Sequence, residues 1–222
     1  MGMIFPHTTS RRLIFRPASV ADHKGFFDTL LRQGFESFRP ADLPTRSLLR
    51  SLDTVFVVIH RSTGDELGFS ALYGHDQAGH MRCGLYLDKD RLHLGVGSEA
   101  VFLTVNYAFA MFRVDRLITQ TTEASSASFG LSFSQSDKDG VLSDHLYFRG
   151  RPWDLHTFHI DRADWEALID TDLAGVLPTS MNWREAPSEP PETEPGVLSR
   201  AAPKPSEAAR AETPESEPSD DG

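Results

Sequence analysis

Gly95 and Gly97 stand on either side of Val96 in the stretch DRLHLGVGSEAV, residues 90 to 101, and an apolar run follows at once. Glycine ahead of a helix lets the backbone take positive φ and approach a ligand closely. A helix start offers amide hydrogens with no intrahelical partner and the positive end of the helix dipole. Together these hold an anion without a charged side chain. The residues placed to offer amides are His93, Leu94, Gly95, Val96, Gly97 and Ser98. The third glycine of a dinucleotide fingerprint is missing, and so is the Gly-Lys-Ser/Thr of a P-loop. Taken alone, the two glycines fit a plain turn equally well.

Other chemistries find less support. The chain has nine histidines. His156 and His159 lie three apart on a strand-like run and so face opposite ways. His75 and His80 flank a turn, but no carboxylate or thiol set of zinc type accompanies them, so no metal is expected. Cys83 is the single cysteine. It allows no intrachain disulfide and points to a reducing, cytoplasmic setting, and a lone strand cysteine more simply packs than reacts. No nucleophile elbow of the G-x-S-x-G form occurs.

Composition narrows the partners. The 222 residues carry a formal charge of −10, but residues 185 to 222 hold ten acidic side chains against three basic ones. The remaining body is close to neutral and shows no basic stripe, which argues against nucleic acid. No apolar run approaches membrane-spanning length, and the start MGMIFPHTTSRR has no secretory core. Its Met-Gly opening lacks the serine or threonine that myristoylation wants, because Pro6 stands there. Eight of the fourteen prolines follow residue 184. A segment so poor in apolar residues cannot offset its ordering entropy. The expected organisation is an N-terminal extension over 1–10, one domain over 11–183, and a disordered acidic tail over 184–222.

The elements that must position the glycines follow from hydrophobic period. RRLIFRP (11–17) reads as a strand, and Ser19 with Asp22 as a helix start for Phe26, Phe27, Leu30 and Leu31. A short helix is expected around Arg46 to Leu52. TVFVVIH (54–60), ELGFSALYG (66–74) and HMRCGLYLD (80–88) form a meander of three strands. SEAVFLTVNYAFAMF is apolar on nearly every side, so it must be sandwiched. RLITQTT (116–122) is a strand, EASSASFGLSFS is weakly helical, and GVLSDHLYF with WDLHTFHI closes a hairpin before a last helix, RADWEALIDT.

This order of elements, with the glycine turn between the fourth strand and a buried helix, resembles the GNAT superfamily of acyltransferases that use acetyl-CoA. The family signature is [Q/R]-x-x-G-x-[G/A]. Leu92 to Gly97 supplies both glycines, with Leu92 where Gln or Arg is usual and Arg91 one place away. RLIFRPAS, CGLYL, GVGSEAVFLTVNYAFAMFRVDRL and the ending DGVLSDHLYFRGRPWDLHTFHIDRADW are similar to the branch of ribosomal-protein, spermidine and amino-sugar N-acetyltransferases, over about residues 11 to 169. The resemblance implies an α/β (α+β) GNAT fold: a mixed, mostly antiparallel sheet of about seven strands with helices on both faces.

It also implies a mechanism. In this family the fourth and fifth strands splay apart and the pantetheine arm lies between them. That would set Gly84, Leu85, Tyr86 and Leu87 beside the arm, with an amide near Leu85 polarising the thioester carbonyl. A primary amine of lysine type has a pKa near 10.4, so only about one molecule in two thousand is neutral at pH 7, and a base is needed. Glu123, His80, His145, Asp144 and Glu36 are the candidates, with Glu123 first by its place after the fifth strand. Relatives protonate the thiolate with a tyrosine on the next helix. Residues 124 to 139 contain none, which leaves Ser125, Ser126 or Ser128. The asparagine usual after the fifth strand is replaced by the run Thr121 to Ser126. Two readings stay open: an acetyltransferase acting on a small-molecule or protein amine, and a GNAT-fold protein that binds acyl-CoA or a partner with little turnover. Relatives often form homodimers, and the resemblance allows one here.

Overall fold

The computed structural model describes residues 3–32, 52–91, 95–122, 138–148, 150–170 and 183–185. The chain divides into two compact units, Met1–Pro187 and Ser188–Gly222, and every described residue lies in the first. Seven strands form one sheet: β1 (Leu13–Pro17), β2 (Leu52–His60), β3 (Glu66–Tyr73), β4 (His80–Leu87), β5 (Arg116–Thr121), β6 (Lys138–Phe148) and β7 (Arg151–Asp161). Three α-helices accompany them among the described residues: α1 (His23–Arg32), α2 (Val96–Met111) and α3 (Arg162–Asp170). The sheet order is β1-β2-β3-β4-β5-β7-β6. Among the described residues only β4 and β5 run parallel; every other neighbour pair is antiparallel. This is the mixed, mostly antiparallel sheet that the resemblance implied. Leu52 opens β2 rather than ending a helix, because it pairs with Tyr73 in the sheet; the rest of that expected helix, like the weakly helical run after Thr122, lies outside the described residues.

Both faces of the sheet are covered, and the sequence shows why. In β2 the buried residues are consecutive: Phe56 and Val58 join the cluster under α2, and Val57 joins the one under α1. Successive strand side chains point to opposite faces, so a run without alternation belongs between two layers. Helix α1 is amphipathic. Phe26 and Leu30, one turn apart, pack on Val57 and Phe69. Helix α2 has no polar face to show. Val96, Ala100 and Leu103 meet β1 and β2 residues, while Val105, Ala108 and Phe109 share a cluster with Trp165 of α3. A serine–threonine bond ties α2 to the sheet, with Ser70 and Thr104 hydroxyls 2.8 Å apart.

The ends of the described chain close over α2. Ile4, His7 and Ser10 are buried. Asn106 Nδ2 donates to the Phe5 carbonyl at 2.7 Å, and the Phe5 amide donates to the Trp183 carbonyl at 2.8 Å. Trp183 is 3% exposed and meets His7 and Trp165 edge to face. Arg184 then clamps Asp170 at the end of α3 through two bonds of 2.8 and 2.9 Å.

Candidate active site

The mouth of α2 is built around Gly95. It is the N-cap and sits in the left-handed region, φ 85 and ψ −9, where only glycine is comfortable. Its carbonyl accepts the Glu99 amide at 3.2 Å. A Cβ on Gly95 would run into the Arg12 guanidinium. Arg12 is brought there by Glu99, a carboxylate buried at 3% exposure in the first turn of α2. Glu99 Oε2 accepts from the Ser10 hydroxyl at 2.6 Å and from the Arg12 amide at 3.1 Å, and Oε1 lies 3.6 Å from Arg12 Nε. A buried carboxylate survives only with such donors and a countercharge. The network therefore locks the entry to β1 against the start of α2 and leaves a cation beside Gly95. His93 and Leu94 lie outside the described residues.

A gap opens in the sheet in line with this mouth. The parallel ladder runs from His80↔Arg116 to Cys83↔Thr119 and stops. Beyond that point β4 continues along β3 to Leu87, and β5 continues along β7 to Thr121, so the two strands diverge. Gly84 and Leu85 are the first residues past the fork. Leu85 and Leu87 turn toward α2, where Leu87 is buried. Gly84 and Tyr86 face α1. A Cβ on Gly84 would strike the Tyr86 hydroxyl, so the tyrosine ring lies back along the strand over Gly84. The ring meets Phe26 edge to face at 5.7 Å, and its hydroxyl is hydrogen-bonded to that of Tyr73. Burial pushes both phenols above their ordinary range.

Cys83 is the last residue before the fork. As a residue it is partly exposed, but its side chain packs on the cluster under α2. Burial pushes the thiol up to about 12, a rise the Thr119 hydroxyl opposes only in part. A thiol of that kind stays protonated and is a poor nucleophile.

The structure gathers some of the sequence candidates and not others. Leu85, Tyr86 and Leu87 border the fork, and Gly95, Val96, Gly97 and Ser98 form the mouth. His145 and Asp144 are exposed on β6, the outer strand beyond β7, so they do not share the fork with Gly84. His80 sits at the opposite end of β4, 3.5 Å from Asp76. Glu36, Glu123, Ser125, Ser126 and Ser128 lie outside the described residues. Arg12, Glu99 and Tyr73 went unremarked in the sequence. Glu99 carried a readable signal, a lone charge inside an otherwise apolar helix; Tyr73 carried none. Among the described residues no group of three or more His, Cys, Asp or Glu is placed to hold a metal, and no helix is long and apolar enough to cross a membrane.

A family model described as an acetyltransferase (GNAT) domain matches residues 12–132. That is more than half of the chain, and the protein belongs to the GNAT acetyltransferase family. Comparison with curated proteins finds no match. Solved structures share the fold. The spermidine N-acetyltransferase from Vibrio cholerae in complex with CoA and spermine is 13% identical, with a TM-score of 0.56 over 70% of this chain and 98% of that one. Mutant forms of the spermidine/spermine N-acetyltransferase SpeG from the same organism are 12% identical, also at 0.56, over 71% and 98%. A probable GNAT-family acetyltransferase from Chromobacterium violaceum is 18% identical, at 0.51, over 72% and 87%.

Proposed function

We propose that the protein transfers an acetyl group from acetyl-CoA to a primary amine by direct attack within a ternary complex, as a member of the branch that acts on ribosomal proteins, spermidine and amino sugars. One observation carries this reading: the Gly95 mouth and the β4–β5 fork lie at the two ends of the same stretch of β4. The mouth suits a pyrophosphate, since it presents amides and a helix dipole, with the Arg12 guanidinium so close to Gly95 that a Cβ there would run into it. The fork suits the pantetheine arm, whose amides would meet β4 as an added strand does. The Leu85 amide then faces the thioester carbonyl and stabilises its oxygen as charge develops.

The neutral Cys83 thiol favours direct transfer over an acyl-enzyme route. Glu123, which follows β5 in sequence, is the proposed base, and Ser126 is proposed to serve the departing sulfur. The amine, in a small molecule or a protein, would enter from the α1 side, above the buried aromatic cluster of Phe26, Phe69 and Tyr86. Calorimetry with acetyl-CoA, followed by thiol release on addition of spermidine, amino sugars and amine-terminated peptides, tests the proposal. Heat of binding together with thiol release dependent on one amine is expected. No binding of any acyl-CoA overturns the reading; tight binding with no release across the panel replaces it with a coenzyme-binding role.

A further inference from the structure

Resting on that reading of the fork as the thioester site, we propose that Arg82 and Tyr73 select the acceptor: an amine that carries a carboxylate close to its nitrogen, as an amino acid does, rather than a polyamine. The place of the nitrogen follows from the strands. The Cys83↔Thr119 pairing is the last between β4 and β5, so a coenzyme arm coming from the α2 mouth along β4 has its reactive end at Gly84. Met81 and Cys83 pack toward α2, and successive strand side chains alternate. Arg82 therefore shares the α1 face with Gly84, about 7 Å away along the strand, within reach of an arginine side chain. Tyr73 is the partner of Arg82 in the β3–β4 register. Its hydroxyl stands beside Gly84, because it is bonded to the Tyr86 hydroxyl, which fills the space of a Gly84 side chain.

Charge decides what belongs there. Arg82 is exposed, and among the described residues no carboxylate pairs with it. Its cross-strand neighbours Tyr73 and Ile118 carry no charge. Arg116, on the next strand, shows the contrast: it faces Asp161 in the register and binds it through two bonds of 2.8 and 3.1 Å. Asp76, at the same end of the sheet, lies against His80. The sheet thus supplies an anion to one arginine and leaves the other, nearer the fork, open. A guanidinium matches a carboxylate through two parallel N–H donors. Tyr73, which is half-buried, adds another. The Tyr86 hydroxyl gives its hydrogen to the Tyr73 oxygen, since that bond pushes Tyr86 up and Tyr73 down. A hydroxyl has one hydrogen, and that of Tyr73 is left for a ligand. With the carboxylate on Arg82 and Tyr73, the neighbouring nitrogen is delivered to the carbonyl at Gly84. It attacks the carbonyl carbon, and the C–S bond breaks with its electron pair moving to sulfur. The surplus proton on nitrogen leaves to the base, and the thiolate takes one from water. A polyamine brings a second cation to the same place and meets Arg82 as a like charge.

An amino acid and its amide share the amine and differ in the carboxylate. Steady-state kinetics over the common amino acids and their amides, with spermidine and ethanolamine phosphate alongside, test the proposal. Wild type should take at least one amino acid with kcat/KM about tenfold or more above that of the matching amide. Arg82→Gln should raise KM for that amino acid by about 10- to 10²-fold. Its kcat, and both constants for the amide, should stay within about twofold. Comparing the two enzymes cancels the different basicity of the two amines. Tyr73→Phe should move the same KM by a smaller factor, and Arg82→Glu should raise kcat/KM for spermidine. Equal losses for acid and amide in Arg82→Gln, or no loss in either, overturn the proposal; so does a wild-type preference for spermidine. A preference for ethanolamine phosphate over every amino acid overturns the carboxylate assignment. Calorimetry on wild type loaded with CoA needs no turnover. The amino acid should bind, more weakly as salt rises, and equal affinity for its amide overturns the proposal. If acetyl-CoA does not bind, or no amine releases thiol, the parent reading falls instead.

Discussion

The guanidinium of Arg12 occupies the space that a side chain at position 95 would need. Gly95→Ala must therefore displace a cation held by buried Glu99 and place a Cβ residue at φ 85. Strain of about 1–3 kcal/mol is expected from the backbone alone. Calorimetry should show acetyl-CoA affinity falling about tenfold or more, with circular dichroism confirming the fold. Arg12→Gln should weaken binding less, and should reduce its dependence on salt between dilute and physiological buffer, because one screened charge contact with phosphate is gone.

Glu99 has a structural duty separable from the coenzyme. Glu99→Leu leaves the Ser10 hydroxyl and the Arg12 amide without their acceptor. Removing one partner of a buried polar set costs about 3 kcal/mol. Urea unfolding should register that loss with coenzyme absent. Glu99→Gln keeps the shape and one acceptor, and should recover part of it.

Cys83→Ala tests the direct-attack route. If the thiol only packs beside Thr119, kcat should stay within a few-fold of wild type, and mass spectrometry of a quenched reaction should find no acetyl adduct on the wild-type cysteine. An adduct formed and consumed at the turnover rate would require a two-step route instead.

Acid stability should trace to particular carboxylates. Asp22 accepts two bonds from Arg16, at 3.1 and 3.0 Å, and one from the Ser19 amide at 2.7 Å. Arg16 first, then Ser19, holds its carboxyl well below the usual range. Asp161 and Asp170 are lowered in the same way by Arg116 and Arg184. Each folded pKa is depressed, so the stabilisation is complete above the unfolded value, about 4. It is lost as pH falls from there toward the folded value. Asp22→Asn should flatten the acid side of a plot of unfolding midpoint against pH and leave the shape above about pH 6 unchanged.

The chain past Glu185 and the tryptophan before it should behave oppositely. Trp183→Ala removes a ring 3% exposed and should cost about 3–5 kcal/mol, read as a lower melting temperature. Ending the chain after residue 187 removes only the unit Ser188–Gly222 and should leave that temperature nearly unchanged.

The strands were legible because their residues obey short-range rules. The β-branched run TVFVVIH announced a strand, and the apolar run after Gly97 announced a helix with no exposed face. The glycine mouth was legible as a backbone requirement. What the sequence hid were relationships across the sheet. Nothing near Arg12 says that its guanidinium will meet Gly95, since that follows from how β1 crosses the start of α2. Nothing near Tyr86 says that its hydroxyl will fold back over Gly84 and find Tyr73, since the strand pairing Tyr73↔Arg82 sets that neighbour. His145 shows the same limit: a histidine in a strand gives no sign of whether its strand borders the fork or the rim.

The bond from the Phe5 amide to the Trp183 carbonyl makes the folded body a nearly closed ring. Its first and last described turns lie a few ångströms apart, so a glycine bridge of a handful of residues would join them. New ends could then be cut in the exposed turn 74–78 between β3 and β4, at the end of β4 opposite to Leu87 and the α2 mouth. Such a permuted chain should keep its architecture, which makes the molecule a practical host for inserted reporters.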